Sequence, residues 1–157
     1  MGWGILSYVL GGALVLILLS AGIEDARTRE IANWKNAAIA LMAPAWWWVL
    51  GYGWADVAWQ VGIAVGVFAL FVGAFHFGWM GGGDVKMIGA LALWLPFQAL
   101  LAMLTVMALA GGVITIFLLV RHRFRPNAER PEVPYGVAIA IGGLWVIANG
   151  LLTTSVA

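Results

Sequence analysis

Charge-free runs alternate with short polar stretches along this chain. Residues 3–23 carry no charge, a length sufficient to cross about 30 Å of hydrocarbon as one helix. Residues 24–36 are polar and charged. Residues 37–52 are apolar, with Pro44 expected to kink a second helix. A third apolar run covers 57–80, broken by Gly81, Gly82 and Gly83 just before Asp84. Residues 87–120 are again uncharged, roughly 51 Å if one straight helix. That is too long for an ordinary span, and the turn residues around Pro96 divide it, leaving a short fourth helix over 84–95. A hydrophilic loop follows at 121–134, then a last apolar run at 135–156. The pattern predicts an all-α fold of six transmembrane helices, one membrane-embedded domain over 1–157.

Composition strengthens this picture. The chain is 64% hydrophobic and 10% charged, with a mean hydropathy of +0.99, so lipid rather than water is the expected solvent for most of its surface. A net charge of +1 gives no support to a nucleic-acid partner. With no cysteine, thiolate chemistry and cysteine metal sites are excluded. His76 and His122 are the only histidines, so no metal site is expected.

Charge placement sets the expected topology. Arg27, Arg29 and Lys35 lie in the first polar stretch, Lys86 beside the glycines, and Arg121, Arg123, Arg125 and Arg130 in the last loop. Six spans put all eight on one side and leave only Asp56 on the other. By the positive-inside rule the basic side is cytoplasmic and both termini are non-cytoplasmic. Trp46, Trp47, Trp48 and Trp54 are expected at the outer interface, Trp34 and Trp79 at the inner one.

The same topology places Asp25 and Asp84 on one face, although 59 positions separate them. Two carboxyls held close cannot both ionise easily. The ionised one can take a proton from water while the protonated one polarises a peptide carbonyl, the division of labour of aspartic proteases. The glycines suit such a site by letting backbone approach an extended peptide and by adopting dihedrals closed to other residues.

The segments Asp25-Ala26-Arg27-Thr28-Arg29-Glu30-Ile31-Ala32-Asn33 and Gly81-Gly82-Gly83-Asp84-Val85-Lys86-Met87 resemble the two signatures of the type IV prepilin peptidase family. Pro134-Tyr135-Gly136-Val137-Ala138 resembles a segment common at the start of its last helix. The compact length is similar to the branch that serves Flp/Tad-type pili. The resemblance implies catalytic Asp25 and Asp84, with Gly81, Gly82, Gly83, Asn33 and Lys86 near the substrate. It implies a pilin or pseudopilin precursor, cut on the cytoplasmic side of a bacterial inner membrane where its basic leader meets its hydrophobic helix. Two departures stand out: Ala32 replaces a frequent proline, and the cysteine-containing domain of longer members is missing. Cleavage is therefore expected without N-methylation, and no cofactor is expected.

Other residues invite plainer readings. Glu24 and Glu30 read as solvated charges pairing with Arg27 or Arg29. Asn33 reads first as a helix cap, Lys86 as a side chain snorkelling to the headgroups, and Ser20 as a helix-packing residue. His76 reads as a hydrogen-bonded structural residue. Basic residues in the last loop read as contacts to anionic lipid. Gly11-Gly12, Gly111-Gly112 and Gly142-Gly143 read as close helix contacts. Competing functions are a small proton-coupled transporter or channel using Asp25, Asp84 and His76, a presenilin-like intramembrane protease, and a structural subunit of a secretion complex.

Overall fold

The computed structural model describes residues 2–124 and 133–150. These contain six helices: α1 (Gly2–Thr28), α2 (Asn33–Val49), α3 (Trp54–His76), α4 (Gly82–Ala92), α5 (Phe97–Arg123) and α6 (Tyr135–Ala148). Three contain a stretch long and apolar enough to cross a membrane: Gly4–Thr28, Trp54–His76 and Phe97–Arg123. The protein is a multi-pass membrane protein. Arg125, Arg130 and the apolar run beyond Gly150 lie outside the described residues.

Helix boundaries depart from the charge pattern in instructive ways. α1 does not stop at the first charge but runs on through Thr28, whose hydroxyl donates to the Glu24 carbonyl at 2.9 Å. It ends where Arg29 takes a left-handed conformation (φ 60°) and returns its N–H to the Asp25 carbonyl. Asp25 is therefore a helical residue, not a loop residue. α2 runs uninterrupted past Pro44. α3 starts earlier than expected because the Asp56 carboxylate accepts the Gly53 N–H at 2.9 Å, and Gly78 (φ 73°) follows its end. Pro96 separates α4 from α5.

α4 is the pivot of the molecule. It packs against α2, α3 and α6, while α1 packs between α2 and α6, and α5 packs on α6. At eleven residues, α4 is only about 16 Å long. A helix that ends inside the molecule leaves carbonyls without partners, and lipid offers none. Here the Gln60 amide of α3 donates to the Ala92 and Leu95 carbonyls at 2.6 and 2.7 Å, and the Trp47 indole donates to Leu93 at 2.7 Å. These bonds let so short a helix end inside the molecule without exposed backbone.

The tryptophans divide by partner. Trp34, Trp48, Trp54 and Trp79 are exposed, as interfacial anchors would be. Trp46 is not: it is buried and stacked on Trp94, ring centroids 5.4 Å apart, and the Trp94 indole donates to the Ile39 carbonyl. Trp46 turns inward from α2 onto Trp94, which follows the end of α4, and no local pattern foretells that. The glycine pairs divide too. A Cβ on Gly142 would lie 2.7 Å from the Met103 carbonyl and one on Gly143 3.0 Å from Leu18, so these are close helix contacts. Gly111 faces Ala138 and Tyr135, whereas Gly11, Gly12 and Gly112 have nothing within 4 Å. Ser20 is exposed rather than packed between helices.

Candidate active site

One face of α1 is buried through Leu10, Leu14, Leu18 and Ala21. Spacing of three and four residues carries that face on to Asp25, which is 4% exposed. The stripe that packs the helix therefore aims the acid inward. Asp25 meets the first turn of α6, where the Val137 N–H donates to its Oδ2 at 3.2 Å. The N-terminus of a helix offers unpaired N–H groups and a positive dipole end, both favourable to a carboxylate. Gly136 makes this approach possible, because a Cβ there would lie 2.8 Å from the Asp25 Cγ and 2.7 Å from the Ile31 Cδ1.

Asp84 enters from α4, in its first turn, where its Oδ2 accepts the Gly81 N–H at 3.3 Å. The same Gly-x-x-Asp device starts α3 at Gly53 and Asp56. Capping alone thus carries no chemistry. What separates the two acids is surroundings: Asp56 is exposed, while Asp84 is 8% exposed and close enough to Asp25 for the charges to interact.

Both aspartates line two cavities. One, of about 320 Å³, is also walled by Arg29, Asn33 and Gly81, Gly82 and Gly83. The other, of about 480 Å³, is walled by Arg29, Trp79 and Tyr135 among others. The glycines contribute closeness rather than unusual dihedrals. Gly81 has φ −73°, and none of the three has positive φ. A Cβ on Gly83 would lie 3.3 Å from the Ile31 side chain, and one on Gly81 3.0 Å from the Asp84 carboxylate. The expectation of special backbone angles there is corrected: the loop is tight because Ile31 and Asp84 crowd it.

Asn33 and Lys86 come together, with the Lys86 Nζ donating to the Asn33 Oδ1 at 2.8 Å. Asn33 lines the smaller of the two cavities and Lys86 does not. Asn33 is the first residue of α2 rather than its cap; the cap position is Ala32 and makes no side-chain bond. Glu24 pairs not with Arg27 or Arg29 but with buried Lys35 at 2.7 Å, and also accepts the Ala32 N–H at 3.2 Å. Proline at position 32 could not make that bond. His76 is exposed at the end of α3 with its ring edge against Phe77. Arg29, Ile31, Gly136 and Tyr135 belong to the site as much as the motif residues. Only the third resembling segment pointed toward the last two.

Two buried carboxyls lining shared cavities beside a backbone-rich loop can activate a water against a peptide carbonyl with no further nucleophile. A model of the type IV leader peptidase family matches residues 12–116, well over half of the chain. Among curated proteins, a prepilin leader peptidase/N-methyltransferase of Pectobacterium carotovorum subsp. carotovorum is 38% identical over 72 residues, covering 45% of this chain and 25% of that protein. The protein of the same name from Aeromonas salmonicida (strain A449) is 36% identical over 67 residues, 43% of this chain and 22% of that protein. The match thus spans about a quarter of these relatives' own length. No solved structure matches the chain. Since the matched stretch holds both aspartates and the three glycines at the start of α4, the chain belongs to the type IV leader peptidase family.

Proposed function

We propose that this protein is an aspartic endopeptidase that removes the basic leader from type IV pilin-like precursors at the cytoplasmic face of a bacterial inner membrane. The observation that carries the reading is the pair Asp25 and Asp84, buried from two different helices into the same two cavities. One acid, ionised, takes a proton from a water as that water attacks the scissile carbonyl. The other, protonated, donates to the carbonyl oxygen as it becomes tetrahedral. The first acid then passes its proton to the leaving amine as the C–N bond breaks, and a hydroxyl of the tetrahedral intermediate gives its proton back to the second acid as the carbonyl re-forms. Gly81, Gly82 and Gly83 leave room for an extended peptide backbone alongside. The proposal includes six membrane crossings within one domain over 1–157, both termini outside, and release of the cut pilin without N-methylation. Family membership supports it, and so does the gathering of the acids with Arg29 and Lys86 near one end of the helices. A transporter relay is not favoured, since it needs ionisable groups distributed in depth, and among the described residues the buried ones are Asp25, Lys35 and Asp84, gathered near that end.

The test is co-expression with a pilin precursor. Asp25→Asn and Asp84→Asn should each lower leader removal about 10³-fold or more while the protein still inserts, read as loss of the faster-migrating pilin band. Full cleavage by either variant sinks the two-aspartate mechanism.

A further inference from the structure

Beyond the catalytic cavities lies a larger apolar groove of about 500 Å³. α4 forms its floor, with α2 and α3 as walls that flank α4 rather than packing broadly on each other. Ala37 and Ala40 of α2, Ala64 and Phe68 of α3, and Gly89 and Leu93 of α4 line it. Small residues make it concave. Gly89 seats the Phe68 ring, since a Cβ there would lie 2.7 Å from it and push the ring outward.

Three observations say what occupies it. Asn33 lines both this groove and the smaller catalytic cavity, so the two are neighbours across one side chain. Lys86, bonded to Asn33, gives the groove a polar end on the catalytic side. Asn36 also lines it, 5% exposed. The Asn36 amide nitrogen donates to the Gly83 carbonyl at 3.3 Å, yet its Oδ1 is buried and has no hydrogen-bond donor among the described residues. A buried acceptor left unsatisfied is costly and calls for a donor. A lipid tail has none to offer. The start of a helix has up to four free N–H groups.

We propose that the groove between α2, α3 and α4 receives the first turns of the substrate's apolar helix, with the Asn36 side chain, whose Oδ1 is closed off in this structure, turning to accept a backbone N–H from the helix start. The proposal rests on the peptidase reading. It explains how a protease with a glycine-lined cleft measures its cut from the end of a helix: the extended leader runs past Asp25 and Asp84, and the helix begins at Asn36. Asn36 also ties this register to the first turn of α4, which carries Asp84, through the Gly83 carbonyl. It acts as a specificity-determining residue, not a catalytic one.

The test compares two substrates of the full-length protein in detergent micelles: a precursor with its apolar helix, and a short peptide covering the leader and the first residues after the cut. The ratio of their kcat/KM values, precursor over short peptide, should fall about tenfold in Ala40→Trp, which fills the groove, and severalfold in Asn36→Leu, which removes the acceptor. Both changes should appear in KM. An unchanged ratio in Ala40→Trp overturns the proposal. A photoreactive side chain at Ala37 should crosslink to the precursor's apolar helix, and adducts with lipid alone likewise overturn it. If the unaltered protein cuts neither substrate, the peptidase reading itself fails and takes the groove assignment with it. If it cuts both and the ratio stays fixed, only the groove assignment fails.

Discussion

Gly136 has no room for a methyl group, and the atoms in the way are those of Asp25. A Cβ there would come within 2.9 Å of both the Cβ and the Cγ of that aspartate. Misplacing a reacting group by even an ångström costs about 100-fold in rate, so Gly136→Ala should lower leader cleavage by about that much, measured as initial rate on a pilin precursor in membranes. Gly12→Ala, with nothing within 4 Å, is the matched control. The two Gly-x-x-Asp helix starts offer a second comparison. Asp56→Asn should leave cleavage within about twofold and cost less than about 1 kcal/mol of stability, against the near-complete loss expected for Asp84→Asn. The aspartates were legible from their signatures. Gly136 was legible only as part of a resembling segment, because its purpose depends on a partner 111 positions earlier in the chain. Glu24 shows the same limit: charge alone suggested a solvated side chain, whereas the short turn between α1 and α2 brings it against Lys35.

At the scale of elements, runs of uncharged residues marked where helices lie, and Gly81 and Pro96, though not Pro44, marked where they break. They could not say that α1 continues through charged residues, nor how α4 ends. Gln60 is the clearest case. It draws no notice as a lone glutamine in an apolar run, yet its amide holds two carbonyls at the end of α4. Gln60→Leu would leave both without a donor in a water-free interior, so it should destabilise the protein by about 3 kcal/mol, measured by reversible unfolding in mixed micelles. A loss below about 1 kcal/mol would mean that the end of α4 is satisfied some other way. Trp46 is a similar lesson: three consecutive tryptophans suggest an interfacial belt, but helical geometry turns Trp46 inward onto Trp94 and Trp48 outward.

For the whole molecule, charge placement sets a definite expectation of topology, six crossings with the basic side cytoplasmic, and that expectation invites a clean experiment. The chain has no cysteine, so a single one can be introduced without background. A cysteine at the exposed position of Asp56 should react with an impermeant maleimide applied to intact spheroplasts, and one at Arg123 only after the membrane is opened. Labelling of both from the same side would overturn the six-crossing arrangement.

The brevity of α4 has a consequence for how the protein is made. An isolated segment must cover about 30 Å of hydrocarbon to settle across a bilayer during synthesis, and eleven residues fall well short. Long apolar segments can each be inserted as they leave the ribosome and associate afterwards. α4 would have to wait for α2 and α3 to shelter it and for Gln60 and Trp47 to take its carbonyls. Asp84 would then join Asp25 among the last events of assembly. A partly built copy would hold one acid without the other, leaving the membrane free of stray proteolysis until the chain is whole.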